Sequence, residues 1–197
     1  MTVYCATGNP GKLREFRLAA GRQSGIEVET LPGLPAITPA EETGTTFEAN
    51  AILKAEYYGA HVSGLLFADD SGLEVDALGG APGVYSARFA GPDATDAANN
   101  RLLIESLRGI GQRSARFVCV IALVDHGRLV RTFRGAVEGE ILESPRGPHG
   151  FGYDPLFYYP AFGCSFGEAA PERKLTVSHR GAALRALFAH LSAGLVC

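Results

Sequence analysis

Lysine is scarce in this chain. Of its eighteen basic side chains only Lys12, Lys54 and Lys174 are lysines, and the rest are arginines. A chain whose default cation is arginine keeps lysine where a compact point charge fits and a guanidinium fork does not. Cysteine is sparse too: Cys5, Cys119, Cys164 and Cys197 lie far apart, with no C-x-x-C spacing and no neighbouring His. That excludes a zinc-ligand set or a disulfide framework and fits reduced, mostly buried thiols in a cytoplasmic protein. No apolar run approaches the roughly 18 residues of a membrane span, and the N-terminus shows no basic-then-apolar signal segment. A membrane is therefore not an expected partner. A broad basic field is missing as well, since 18 cations stand against 21 carboxylates for a net charge of −3. Nucleic acid is thereby excluded as a nonspecific partner, while a small anion met by local positive groups is not. Repeats, low-complexity segments and linkers are absent, and 197 residues at 46% hydrophobic content suit one domain, 1–197, with a sizeable core.

What is present alternates between strand-like and helix-like segments. Thr2 to Thr7 reads as a strand that runs into the turn cluster Gly8-Asn9-Pro10-Gly11, with a helix over Gly11 to Ala20. Ile26 to Leu31 is a second strand. Thr45 and Glu48 fit a capping box for a helix that places Phe47, Ala51, Ala55 and Tyr58 on one face. Leu65 to Ala68 reads as the end of a buried strand that delivers Asp69 and Asp70 into a turn at Ser71-Gly72, followed by the Gly/Pro/Ala loop 79–83. A helix is expected over Thr95 to Leu107, a hairpin of Arg116 to Val124 and Leu129 to Val137 around Asp125-His126-Gly127, a Gly/Pro/aromatic loop from Pro145 to Pro160, and a last helix opened by Ser178. βα units mixed with a strand pair predict an α/β fold with a mixed sheet.

Four segments could carry chemistry. Adjacent carboxylates at a strand end, Asp69 and Asp70, suit a metal ligand or a base, although two solvated Asp on a surface turn would read the same. Thr7-Gly8-Asn9-Pro10-Gly11-Lys12 is a strand–turn–helix with the N–H groups, dipole and lysine suited to phosphate oxygens. It is not a Walker loop, because Ala6 stands where the first glycine is required and Leu13 follows the lysine. Glu41-Glu42-Thr43-Gly44 is a second acidic turn, ahead of the helix bearing Lys54, and could complete an oxygen-ligand site for Mg²⁺. Phe151-Gly152-Tyr153-Asp154 offers aromatic faces on a glycine-flanked loop, and Lys174 with Ser178-His179-Arg180 gathers donors at a helix start. Core anchoring and capping are the plain alternatives for these last two.

TGNPGK, EETGTTFEANAILKA, ADDSGLEVDALGGAPGVYSARFAG, GFGYDPLF and K-x₄-HRG occur in the order and spacing of the inosine triphosphate pyrophosphatase family, which the chain resembles from about residue 2 to residue 190. The resemblance implies an elongated mixed β-sheet flanked by helices, with two lobes and a central cleft, assembled as a homodimer in the cytoplasm. It implies Mg²⁺-dependent hydrolysis of non-canonical purine triphosphates such as ITP, dITP and XTP to the monophosphate and pyrophosphate. Carried over by motif, Thr7 through Lys12 would cradle phosphates, and Glu41 and Asp70 would hold the metal. Asp70 would take a proton from the attacking water, supported by Asp69, Lys12 and Lys54, with Ser71 touching substrate. Phe151, Gly152, Tyr153, Asp154, Lys174, His179 and Arg180 would frame the base and nearby phosphates. Two residues depart from the family pattern around this lysine: Leu175 stands where relatives often carry a polar residue, and Arg173 where an acidic one is common. Two rival readings are a septum-inhibition-type pyrophosphatase acting on modified pyrimidine or methylated nucleotides, and a nucleotide sensor without turnover.

Overall fold

The computed structural model describes residues 1–21 and 25–194, so the thiol expected of Cys197 lies outside the described residues. Strand β1 (Thr2–Cys5) alternates outward Thr2 with fully buried Val3 and Cys5, the period of a half-covered strand. It ends two residues before the expected Thr7. Helix α1 (Pro10–Ala20) carries Pro10 in its first turn, as the sequence predicts, and Asn9 caps it. The Asn9 Oδ1 accepts from Gly11 N at 2.8 Å and Lys12 N at 3.0 Å, and Pro10 fits the first turn where no N–H is needed. Strand β2 (Glu27–Thr30) follows, then α2 (Phe47–Gly59). The capping box predicted from Thr45 and Glu48 does not form. Thr46 is the cap, its hydroxyl accepting from Ala49 N at 3.1 Å, which puts Ala49 at the third position and leaves Glu48 to accept from the Thr132 hydroxyl at 2.6 Å.

Strand β3 (Leu65–Val75) overturns a second expectation. It does not stop at Ala68 but runs eleven residues straight through Asp69-Asp70-Ser71-Gly72. Both faces are covered from Leu66 to Asp70, Leu73 and Val75 are fully buried, and the two carboxylates meet cations (below), so nothing forces a turn. The turn comes after Val75, where a 3₁₀ turn (Asp76–Leu78) leads to Gly79 and Gly80 at φ 62° and 91°. Helix α3 (Asp96–Ser106) is capped by Thr95. Strands β4 (Ser114–Asp125) and β5 (Arg128–Ile141) form the predicted hairpin on His126-Gly127, both left-handed at φ 48° and 74°, the turn whose twist matches its strands. The expected 145–160 loop ends in a short strand, β6 (Phe157–Tyr159), which pairs with β7 (Cys164–Ser165) beyond it. The last helix, α5 (His179–Ala193), opens after extended Ser178 (φ −66°, ψ 157°) as the sequence predicts, and a short helix that it did not predict, α4 (Pro171–Val177), precedes it.

The sheet is mixed and open, in the order β2-β1-β3-β4-β5-β6-β7. β1 is parallel to β2, with Val3 opposite Val28, and to β3, with Cys5 opposite Phe67, whereas β5–β6 and β6–β7 are antiparallel. The chain divides into two compact units. The first comprises Met1–Asp70, Cys119–Gly135 and His179–Cys197. Its core holds Val3, Phe16, Leu66, Phe67, Ile121, Leu184 and Leu187, with Phe16 and Phe67 edge-to-face at 5.1 Å. Gly135 lets α5 close on β5, since a Cβ there would stand 2.1 Å from the His179 carbonyl. The second unit comprises Ser71–Val118 and Ala136–Ser178, around Leu73, Leu103, Phe117, Ile141, Leu156, Phe157 and Phe166. Among the described residues no helix is long and apolar enough to cross a membrane.

Candidate active site

Asp69 and Asp70 are consecutive on β3, so their side chains leave opposite faces of the strand. Their partners are accordingly different. Asp69, 3% exposed, meets Lys12 Nζ at 3.0 Å and Arg180 Nε at 3.6 Å, with the Cys119 Sγ 3.9 Å away. Burial alone would raise its pKa, but Lys12 and Arg180, with Lys54 behind them, hold it well below the usual carboxylate range. Asp70 meets Lys54 Nζ at 2.8 Å and the Asn50 amide at 3.3 Å. Here burial wins over the Lys54 charge, and its pKa is raised. Two neighbouring carboxylates are thus pushed apart: one is fixed as an anion and the other is made more basic, the pattern that separates an electrostatic partner from a proton acceptor.

The sequence signals for the supporting groups are helical spacings. Lys12 sits on α1 three residues before Glu15, and Asn50 on α2 four residues before Lys54, so each pair shares a helix face. Sequence reasoning missed Glu15 and Asn50, and named Glu42 only as part of the acidic turn. Glu15, 8% exposed, bonds the Arg180 guanidinium at 2.5 Å, and Arg180 itself is 2% exposed. Burial would lower the Arg180 pKa, but Glu15 and Asp69 raise it, so it is a permanent cation. Arg180 therefore lies in the first unit as part of the Asp69 network, with His179 buried beside it in sequence. Glu42, not Glu41, reaches Lys54, at 3.0 Å, and Glu41 is exposed. Burial would lower the Lys54 pKa, but Asp70, Asp69 and Glu42 together raise it. Gly44 is needed in this acidic turn. Its N–H donates to Asn50 Oδ1 at 2.8 Å, and a Cβ there would lie 2.6 Å from that oxygen.

In the Thr7–Lys12 turn, Thr7 Oγ1 accepts from Asn9 N at 3.2 Å, while Gly8, Asn9 and Pro10 are exposed and Gly11 is buried. The Asn9 cap takes the N–H groups of Gly11 and Lys12, two of the donors that the sequence reading offered to phosphate. Burial pushes the Cys5 thiol up to about 12 and the Cys119 thiol higher still, which keeps both protonated and inert.

The second unit has its own buried ion pair. Lys174 Nζ meets Asp154 Oδ2 at 2.6 Å, with side chains 4% and 2% exposed, and Phe151 N donates to the same oxygen at 2.9 Å. Gly150 (φ 77°) is required, because a Cβ would stand 2.2 Å from that carboxylate. The Lys174 ammonium lies 5.0 Å from the centre of the half-buried Phe151 ring. Tyr153 is not an open aromatic face. It is 4% exposed and donates its hydroxyl to the Ser86 carbonyl at 2.8 Å, and burial raises its pKa. Leu175 is buried and Arg173 stacks 3.9 Å over Phe162, which accounts for both departures around Lys174 as packing. Ser71, the first residue of this unit, is half-buried on β3. All three lysines pair with an aspartate: Lys12 with Asp69, Lys54 with Asp70, Lys174 with Asp154.

Comparison with known proteins agrees with the motif resemblance. The chain is 50% identical to the dITP/XTP pyrophosphatase of Acidobacterium capsulatum over 200 aligned positions, covering 97% of this chain and 98% of the relative. It is 51% identical to that of an Exiguobacterium species, covering 97% of each. Among solved structures, the Ham1 protein of Staphylococcus aureus superposes with a TM-score of 0.86 at 39% identity, over 98% of this chain and 100% of that one. A HAM1 protein from Coxiella burnetii gives 0.87 at 39%, over 98% and 99%. A sequence profile of the Ham1 family matches residues 3–190, and with near-complete coverage by relatives at such identity, the chain belongs to the Ham1 family.

Proposed function

We propose that this protein is a hydrolase that cleaves non-canonical purine nucleoside triphosphates (dITP, XTP and ITP) to the monophosphate and pyrophosphate. The observation that carries the reading is the split pair on β3, where Asp69 is an anion on Lys12 and Arg180 while Asp70 is made more basic on Lys54. It joins the names of the relatives, which are dITP/XTP pyrophosphatases. Asp70 accepts the proton of the attacking water. Lys12 and Lys54 stabilise negative charge that develops on the phosphates, and the Thr7–Lys12 turn and Ser71 contact them. Asp69, Arg180 and Glu15 hold Lys12 in place.

Mg²⁺ fits the donor set. Lys54 Nζ ties the acidic turn that bears Glu41 to Asp70, meeting the adjacent Glu42 at 3.0 Å and Asp70 at 2.8 Å. Mg²⁺ is an ion that takes one or two carboxylates together with water and substrate phosphate. Asp70 and Glu41 would hold it, with Glu42 balancing Lys54. When bound, Mg²⁺ supplies neutralisation of the triphosphate charge. In the second unit Phe151 contacts the base, with Gly152, Asp154 and Lys174 fixing the loop and Tyr153 anchoring it. A 6-keto base is chosen over adenine by a donor that an amino group would leave unpaired. The protein works as a homodimer in the cytoplasm, without nucleic acid or membrane partners. Release of pyrophosphate from dITP with Mg²⁺ present tests the reading. Release from methylated or modified pyrimidine triphosphates instead, or tight dITP binding without turnover, would replace it.

A further inference from the structure

The loop that carries Phe151 is gripped by α3. Gly152 N donates to Asp96 Oδ2 at 2.7 Å, and the Gly152 carbonyl accepts from Asn100 Nδ2 at 3.0 Å. Asp96 and Asn100 are four residues apart, so one helix face holds both polar groups of a single loop residue. Asn100 Oδ1 is buried with no hydrogen-bond partner among the described residues, so the Gly152 contact alone orients this amide. The helix is itself fixed. Thr95 caps it through Ala98 N at 3.2 Å, and Asn99, 3% exposed, accepts from Ala90 N at 2.8 Å and donates to the Ala87 carbonyl at 3.1 Å. Beside the clamp, α3 and the 145–155 loop line a cavity of about 740 Å³ that includes Phe151. Side-chain packing is therefore thin on this side of the loop, and two directed bonds take its place.

We propose that Asp96 and Asn100 are positioning residues that act through Gly152, setting the plane in which Phe151 meets the purine base. The proposal rests on the reading of Phe151 as a base contact, and its test separates the two. Asp96→Ala and Asn100→Ala are each expected to raise KM for dITP by roughly three- to tenfold, the range of one hydrogen bond, with kcat nearly unchanged. Inhibition by inorganic tripolyphosphate, which has no base, should stay at the wild-type constant. Asp96→Asn keeps an acceptor for the Gly152 N–H but removes the same helix-terminal charge as Asp96→Ala. It should therefore restore wild-type KM, which a role in helix stability alone would not. A raised KM in Phe151→Ala together with an unchanged KM in Asn100→Ala would overturn the clamp and leave the base contact standing. An unchanged KM in Phe151→Ala would overturn both. Weakened tripolyphosphate inhibition in the clamp variants would assign them a general structural role and overturn the proposal.

Discussion

Replacing Asp69 by Asn removes a charge and keeps the shape, in a place where three charged groups depend on one another. The carboxylate is 3% exposed and faces Lys12 at 3.0 Å and Arg180 at 3.6 Å. Deleting one member of a buried ion pair typically costs 3–5 kcal/mol, because the partner is left uncompensated. Two features pull the figure to the low end here: Arg180 keeps Glu15 at 2.5 Å, and the Lys12 side chain is 18% exposed and keeps some water. We expect a loss of about 3 kcal/mol, which for a chain of this length lowers Tm by roughly 6–12 °C. Thermal unfolding followed by circular dichroism in metal-free buffer measures it. The pH dependence gives the sharper test. The Asp69 pKa is lowered by folding, so its stabilising contribution is fully present above the unfolded value near ~3.9 and is lost as pH falls toward the folded value. The difference between wild type and Asp69→Asn should hold steady from about pH 8 to 5 and shrink below about pH 4. A difference under 1 kcal/mol at neutral pH, or one that persists undiminished to about pH 2.5, would refute the assignment of Asp69 as a structural anion.

Asp70→Asn should lose about 10²–10⁴ in kcat while Tm moves little, since Lys54 retains Glu42; pyrophosphate release and a melt in parallel read both, and activity within tenfold of wild type would remove Asp70 as the proton acceptor. Lys12→Arg preserves charge but replaces an ammonium by a bulkier planar fork, and kcat/KM for dITP should fall about thirtyfold, ~2 kcal/mol, with full activity at unchanged Tm as the contrary result. Tyr153→Phe deletes the buried hydroxyl on the Ser86 carbonyl, so chemical denaturation should show a loss of about 1–2 kcal/mol and steady-state assays a nearly unchanged kcat.

Where the determinants were local, the sequence could be read. Asn9-Pro10 announces α1, Thr95 announces α3, and the left-handed His126-Gly127 pair announces the hairpin. Most of what the sequence did not show has one cause: the deciding partner lies far along the chain. Asp69-Asp70-Ser71-Gly72 has the composition of a turn, and it stays a strand because Lys12, Lys54 and Arg180 neutralise it from 57, 16 and 111 residues away, counted from the position of the paired aspartate. The carboxylate that meets Arg180, that of Glu15, stands 165 residues away in the chain. Glu41 and Glu42 are indistinguishable by type, and only the approach of α2 shows which one reaches Lys54. Nothing near Tyr153 in sequence reveals the Ser86 carbonyl that accepts from its hydroxyl.

The alternation of β3 makes the two aspartates a matter of addressing. Counting by twos along the strand, one acid answers to α1 and the other to α2, and the pairing of Cys5 with Phe67 keeps that count in step with the neighbouring strand. Losing or gaining a single residue between positions 65 and 68 would leave every chemical group present yet deliver each carboxylate to the wrong side. The stretch ahead of the pair should thus accept changes of apolar side chain far more readily than changes of length. For anyone redesigning the protein, the spacing between the edge of β3 and its acids is a parity rule: a two-residue shift keeps each acid on its own face, and a one-residue shift exchanges them.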